Sequence, residues 1–379
     1  MDLQFLFLIR IYIIIPKKRK DGVYSVNIVT ELRNDLREII MPHLGMELPL
    51  RMSQVIEALW ADEKRPQLNR KKRTQLGYNF YYELPPGISF RDFTSKREYF
   101  RDNIGLHSTV DIIHAGKMAL VKVTNQQLKV MYSYDWDYTK AGILPIPIGY
   151  THEKLIIADL ADIPHVLIGG ITGGGKSNAI HVIVNSLLQL KACPQIILID
   201  LKMSEYNYLE NHVMLVTEHD HASQSIEGLV TEMRRRQRLL KASKCVNIKK
   251  YNAKHSEKLP YIVLVIDELA ELTNEDAQDD VETLLRLCRA SGISIIAATQ
   301  RPDANTFKKF GQSKANFRGR LCFQVADSIN SKIILDNGMG AELPDNPGRA
   351  IWRLGKDCIE LQTPFLDPED AEKRLEELS

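Results

Sequence analysis

The run Gly170-Ile171-Thr172-Gly173-Gly174-Gly175-Lys176-Ser177 constrains this chain more than any other stretch, because it fits G-x-x-x-x-G-K-[ST] in the right surroundings. Pro164 to Ile168, just upstream, reads as a buried strand, and Ala179 to Leu188, just downstream, as an apolar helix. Small residues let such a strand-to-helix loop curl until successive backbone N–H groups converge on an anion. The partial positive charge of the helix N-terminus adds to theirs. Gly170, Ile171, Thr172, Gly173, Gly174, Gly175, Lys176, Ser177 and the adjoining Asn178 are therefore the candidate triphosphate-binding residues. Lys176 is expected to reach the β- and γ-phosphates, and Ser177 to ligate Mg²⁺.

A second segment bears on what becomes of the triphosphate. Tyr261-Ile262-Val263-Leu264-Val265-Ile266 is apolar without alternation, as in a central parallel strand buried on both faces, and it ends in Asp267-Glu268. Asp267 is suited to the Mg²⁺ shell and Glu268 to polarising an attacking water. An Asn-Lys-x-Asp guanine reader is missing, which argues against a switch GTPase. A third apolar run, Ile293 to Ala298, ends in Thr299-Gln300-Arg301-Pro302. Gln300 there can sense the γ-phosphate or position the water. Gln195 to Ile199 is a further strand, ending in Asp200-Leu201-Lys202. Strands alternating with helices in this way predict an α/β domain with a mostly parallel sheet flanked by helices.

Together these motifs resemble the FtsK/SpoIIIE family of DNA-translocating ATPases. The resemblance rests on the phosphate loop, on Val263-Leu264-Val265-Ile266-Asp267-Glu268-Leu269-Ala270 and on Ala298-Thr299-Gln300-Arg301-Pro302. Phe323-Gln324-Val325 and Ser331-Lys332-Ile333-Ile334-Leu335-Asp336 extend it, so that it covers roughly residues 141–362. Ile146-Pro147-Ile148-Gly149-Tyr150 and Pro347-Gly348-Arg349-Ala350 are most similar to the single-motor coupling proteins of conjugative elements. The resemblance implies a RecA-like phosphate-loop NTPase fold, ATP and Mg²⁺ as cofactors, DNA as cargo and a homo-hexameric ring. It also implies a relaxase and a membrane secretion channel as partners.

Two positions depart from the family pattern. Arg320, in Arg318-Gly319-Arg320, aligns with the family arginine that acts on a neighbouring subunit's ATP, and Arg318 blurs that assignment. Lys332 stands where many relatives have arginine in a loop implied to contact DNA phosphates. Lysine still neutralises a phosphate but loses the bidentate fork. For both residues the plain alternative is a solvated surface cation.

Four segments are expected along the chain. Residues 1–20 are an apolar run, Leu3 to Ile15, followed by Pro16-Lys17-Lys18-Arg19-Lys20. The run is short for a membrane span, and its basic flank favours the cytoplasmic side, so it reads as an anchor stub at the inner face of the cell membrane or as a buried strand. Residues 21–75 read as helices and then a charged linker from Asp62 to Arg73, whose Arg70-Lys71-Lys72-Arg73 run touches DNA or lipid, or is merely solvated. Residues 76–140 read as a small α+β domain, with strands at Tyr78–Tyr82 and Met118–Val123, and residues 141–379 as the motor. The first 140 residues carry net charge +6 and the rest −4, which argues against static wrapping of DNA by the motor. Five scattered cysteines without C-x-x-C spacing point to a reduced, cytoplasmic setting. His219-Asp220-His221 lacks the further ligands of a metal site.

In the helical pattern Ile226, Leu229, Val230, Met233 and Leu240, the arginines 234, 235, 236 and 238 fall mostly off the apolar face. They line DNA or a subunit interface, or are solvated. The segment after Leu361 is too short for the sequence-reading module of chromosome-segregating relatives, so specificity is expected to come from a partner. Three function classes fit: a DNA pump for conjugative transfer, a motor that moves proteins, and an ATP-dependent scaffold without processive turnover. The intact Asp267-Glu268 pair weighs against the last.

Overall fold

The computed structural model describes residues 47–74, 76–104, 109–124, 128–135, 142–203, 205–300 and 313–378. The chain divides into two units, residues 1–127 and 128–379. The apolar and basic segment 1–20 lies outside the described residues. Among the described residues no helix is long and apolar enough to cross a membrane.

The first unit contains α1 (Glu47–Leu59), β1 (Gln67–Arg73), β2 (Gly77–Glu83), α2 (Phe90–Thr94), α3 (Arg97–Ile104), β3 (Thr109–Ala115) and β4 (Met118–Thr124). Its four strands form an antiparallel sheet in the order β1-β2-β4-β3. One face packs on the helices through Met52, Phe80, Phe93, Phe100 and Val121. The α+β reading of this region agrees with these elements, but the linker reading fails for residues 67–73. They form β1, an edge strand exposed along its whole length, with Arg70 stacked 4.0 Å over the ring of Tyr81. An edge strand wet on both faces needs no apolar alternation, and its cations deter pairing with another sheet.

The second unit runs β5 (Tyr132–Ser133), β6 (Pro145–Tyr150), β7 (Leu155–Asp159), β8 (His165–Gly169), α4 (Lys176–Leu188), β9 (Gln195–Ile199) and β10 (Met214–Val216). It continues through α5 (His219–Ala242), α6 (Ile248–Lys254), β11 (Ile262–Ile266), α7 (Glu275–Leu287), β12 (Ile293–Thr299), β13 (Gly319–Phe323) and α8 (Ser328–Leu335). The last elements are β14 (Arg349–Leu354), β15 (Asp357–Gln362), β16 (Pro364–Phe365) and α9 (Pro368–Leu378). Ten strands form one sheet in the order β10-β9-β11-β12-β8-β13-β14-β15-β6-β7. The six from β10 to β13 are parallel, and the remaining four extend the sheet antiparallel.

Strand periodicity explains the unbroken apolar runs. Along β11, Ile262, Leu264 and Ile266 enter a core shared with α5, α7 and α8, whereas Val263 and Val265 enter the core under α4. Helices cover both faces, so neither set of side chains meets water. On α5 the apolar face is as read, with one correction. Arg236 is fully buried, donating to Glu232 (2.7 Å) and to the carbonyls of Pro260 (2.8 Å) and Ser291 (3.0 Å). It fastens the helix to the sheet layer and is neither a DNA contact nor solvated.

Candidate nucleotide site

The loop leaves β8 in the middle of the sheet, between β12 and β13. Its curl needs glycine at two points in particular. Gly175 sits at φ +113° with its α-carbon facing Gly348, so that an added Cβ would lie 2.9 Å from the Gly348 nitrogen. Gly173, at φ +78°, turns the tip. Backbone bonds from Gly170 to Thr299 and from Ile171 to Gln324 tie the loop to its flanking strands. The amides of Gly173, Gly175, Lys176 and Ser177 donate to no backbone carbonyl among the described residues. They are the orphan donors that an anion at the start of α4 satisfies.

Lys176 is 5 % exposed. Burial pushes its ammonium below the usual lysine range, and the carboxylates of Glu268 and Asp267 oppose that shift. A desolvated cation without an ion pair of its own gains much from a phosphate. Asn178 turns away from the loop and donates to the Leu366 carbonyl (2.7 Å), so its part is to hold α4 against the chain end.

Asp267 and Glu268 follow β11, one strand removed from β8, because β12 intervenes. That spacing opens a gap between the loop and the carboxylates, and Gln300 at the end of β12 fills it. Its side-chain oxygen accepts from Thr172 (3.1 Å), while its backbone N–H donates to Glu268 Oε2 (2.9 Å). Lys202 Nζ lies 3.4 Å from the same oxygen. The other, Glu268 Oε1, is buried without a hydrogen-bond partner. Such an atom is costly unless something else occupies it, here a water or substrate group. Burial raises the Asp267 carboxyl above its usual range, although a 2.8 Å hydrogen bond from the Tyr206 hydroxyl works the other way. A serine hydroxyl and a carboxylate are hard oxygen donors, so Ser177 and Asp267 fit Mg²⁺. Among the described residues no cluster of His, Cys, Asp and Glu forms a metal site, His219-Asp220-His221 included.

Two expected residues are not part of this assembly. Arg320 pairs with Leu167 in register, before the loop begins, and is buried. Its guanidinium donates to the carbonyls of Phe317 (3.0 Å), Ile334 (3.0 Å) and Lys314 (3.1 Å) and to Asp336 Oδ2 (2.8 Å). An arginine so engaged is not a solvated surface cation, which corrects that alternative. Arg318 is the exposed member of the pair. Lys332 is exposed on α8. Sequence reasoning missed Tyr206 entirely and gave Lys202 no role, since the strand ending Asp200-Leu201-Lys202 was the only signal near them.

Glycine loop, orphan amides, buried lysine and a carboxylate pair one strand away define a phosphate-loop ATPase domain. Comparison with known proteins narrows the class: residues 131–304 match the model of the FtsK/SpoIIIE family. The DNA translocase FtsK of Treponema pallidum (strain Nichols) is 36% identical over 287 residues, 68% of this chain and 35% of that protein. The chain thus spans about a third of that relative's length. The pCW3 conjugation coupling protein TcpA, solved as a monomer with ATPγS, superposes with a TM-score of 0.64 at 28% identity, covering 88% of this chain and 99% of that one. The cytoplasmic domain of the Thermomonospora curvata Type VII secretion ATPase EccC is alike in fold, with a TM-score of 0.54 at 21% identity over 61% of this chain and 31% of that one.

Proposed function

We propose that this chain is an ATP-driven DNA translocase that pumps DNA during conjugative transfer. The observation that carries the reading is the likeness to TcpA, which spans nearly all of that coupling protein. The identity with FtsK translocases supports DNA as cargo. The chain works as a homo-hexameric ring, with a relaxase and a membrane channel as partners and its N-terminal segment at the inner face of the membrane. Lys332, exposed on α8, meets DNA phosphates as the strand passes.

In the site, Lys176 and the free amides of the loop bind and orient the β- and γ-phosphates. Ser177 and Asp267 would hold Mg²⁺, which when bound would supply charge neutralisation at the phosphates. Glu268 Oε1 accepts the proton of the attacking water as it closes on the γ-phosphorus, while the bond from that phosphorus to the β–γ bridging oxygen breaks and the nucleoside diphosphate leaves. Gln300, beside Thr172 at the end of β12, orients that water.

Steady-state ATPase activity, measured with duplex DNA, with single-stranded DNA and with neither, tests the reading beside the Lys176→Ala variant. Turnover stimulated by one DNA form and lost in the variant is the expected outcome. Lys176-dependent turnover indifferent to both would shift the function to a motor that moves proteins.

A further inference from the structure

The segment that follows β9 has no part in the mechanism above, yet it touches both hydrolytic carboxylates. Tyr206 is completely buried, and its hydroxyl donates to Asp267 Oδ1 at 2.8 Å. Four residues earlier Lys202, about a third exposed, reaches Glu268 Oε2 at 3.4 Å and Glu271 at 3.8 Å. The strand order makes this possible: β9 is hydrogen-bonded directly to β11 in parallel register, with Ile199 beside Ile266, so the two strands end side by side.

Each carboxylate has one oxygen anchored by a donor from this segment. For Glu268 the two oxygens are divided: Oε2 takes the Gln300 amide and Lys202, while Oε1 is buried with no partner among the described residues. A carboxylate with one oxygen fixed has lost its freedom to turn, and its working oxygen is presented in one direction. Neutral donors alone would hold a buried carboxylate less firmly than a set that includes a cation.

We propose that Lys202 and Tyr206 are positioning residues of the nucleotide site, Lys202 aiming the general base and Tyr206 aiming the metal-binding carboxylate. The inference rests on the hydrolytic reading of Asp267 and Glu268, and the test separates the two. Binding of the fluorescent analogue mant-ATP is titrated with Mg²⁺ and in EDTA, and steady-state hydrolysis is measured on the same proteins. Tyr206→Phe, which keeps the buried ring, is expected to weaken mant-ATP binding about tenfold in Mg²⁺ and to leave binding in EDTA unchanged. Lys202→Met is expected to lower kcat about tenfold at unchanged KM, and Lys202→Arg to restore most of it. Equal weakening of mant-ATP with and without Mg²⁺ in Tyr206→Phe, or wild-type kcat in Lys202→Met, overturns the proposal. Wild-type hydrolysis in Glu268→Gln sinks the hydrolytic reading instead, whichever way the positioning variants behave.

Discussion

Lys176, which opens α4 just after β8, and Arg320, on the neighbouring strand β13, are both buried cations, and they have opposite environments. Among the described residues Lys176 has no ion pair of its own, and burial depresses its ammonium. Around it, Asp267 is raised by burial and Glu268 keeps a buried oxygen unpartnered. Arg320, by contrast, fills three carbonyls and Asp336, and Asp336 is also held by Lys314 (2.6 Å) and by Arg353. Burial works against the Asp336 charge, but the hydrogen bonds from Lys314 and Arg353 and the charge of Arg320 prevail and hold its carboxyl at about 2. Charge left unpaired in the interior marks a place built for a ligand, whereas charge fully paired there marks a joint in the fold.

The largest effect expected from this contrast is chemical. Glu268→Gln removes the proton acceptor while keeping size and polarity, so turnover should fall by about 10²- to 10⁴-fold with mant-ATP binding intact. Hydrolysis within a few-fold of wild type would mean that Oε1 is a structural orphan.

The comparison itself is tested by making the same change on both sides of it and measuring thermal unfolding without nucleotide. Arg320→Met leaves three carbonyls without their donor and removes one of the three cations on Asp336; it should cost about 3 kcal/mol, since breaking a buried pair from one side is severe, while Lys314, Arg353 and the half-exposure of Asp336 keep the loss near the low end. Lys176→Met relieves a desolvated cation and should stabilise the protein by roughly 1 kcal/mol while abolishing nucleotide binding. Destabilisation of equal size at both sites would erase the distinction between ligand site and joint.

The smallest effect concerns pH. A carboxyl lowered in the folded state stabilises fully above its unfolded value, about 3.9, and loses that contribution as pH falls through the folded value. For Asp336 the window therefore runs from about pH 4 down to about 2. The stability gap between wild type and Asp336→Asn should shrink across it. Because the side chain is half-exposed, solvent screening holds this contribution to about 1 kcal/mol or less. A gap that stays constant down to pH 2.5 would show that the Asp336 charge is not what secures Arg320.

Legibility followed locality. The phosphate loop is a local device, in which glycine, lysine and serine at fixed offsets adopt one backbone path between a strand and a helix. Asp267 and Glu268 were readable because they end an apolar run. The burial of Arg320 was not legible, because nothing near it in sequence announces Asp336 or the carbonyl of Ile334. The strand Gln67–Arg73 was hidden for a related reason: exposed on both faces, it carries none of the alternation by which strands are recognised. Arg236 looked like part of a basic face until the carbonyls of Pro260 and Ser291 were found beneath it.

By itself the sequence determined the strands and helices of the parallel-rich α/β domain, the anion-binding turn and the positions of the two carboxylates, since each of these depends on side chains and backbone angles within a short run of consecutive residues. Only the tertiary structure decided which charges are shared. Tyr206 and Asp267 are 61 positions apart and Lys202 and Glu268 are 66, and each pair meets only because β9 and β11 lie side by side. Strand order is set by the packing of both cores at once, a property of the whole domain that no short stretch of residues carries.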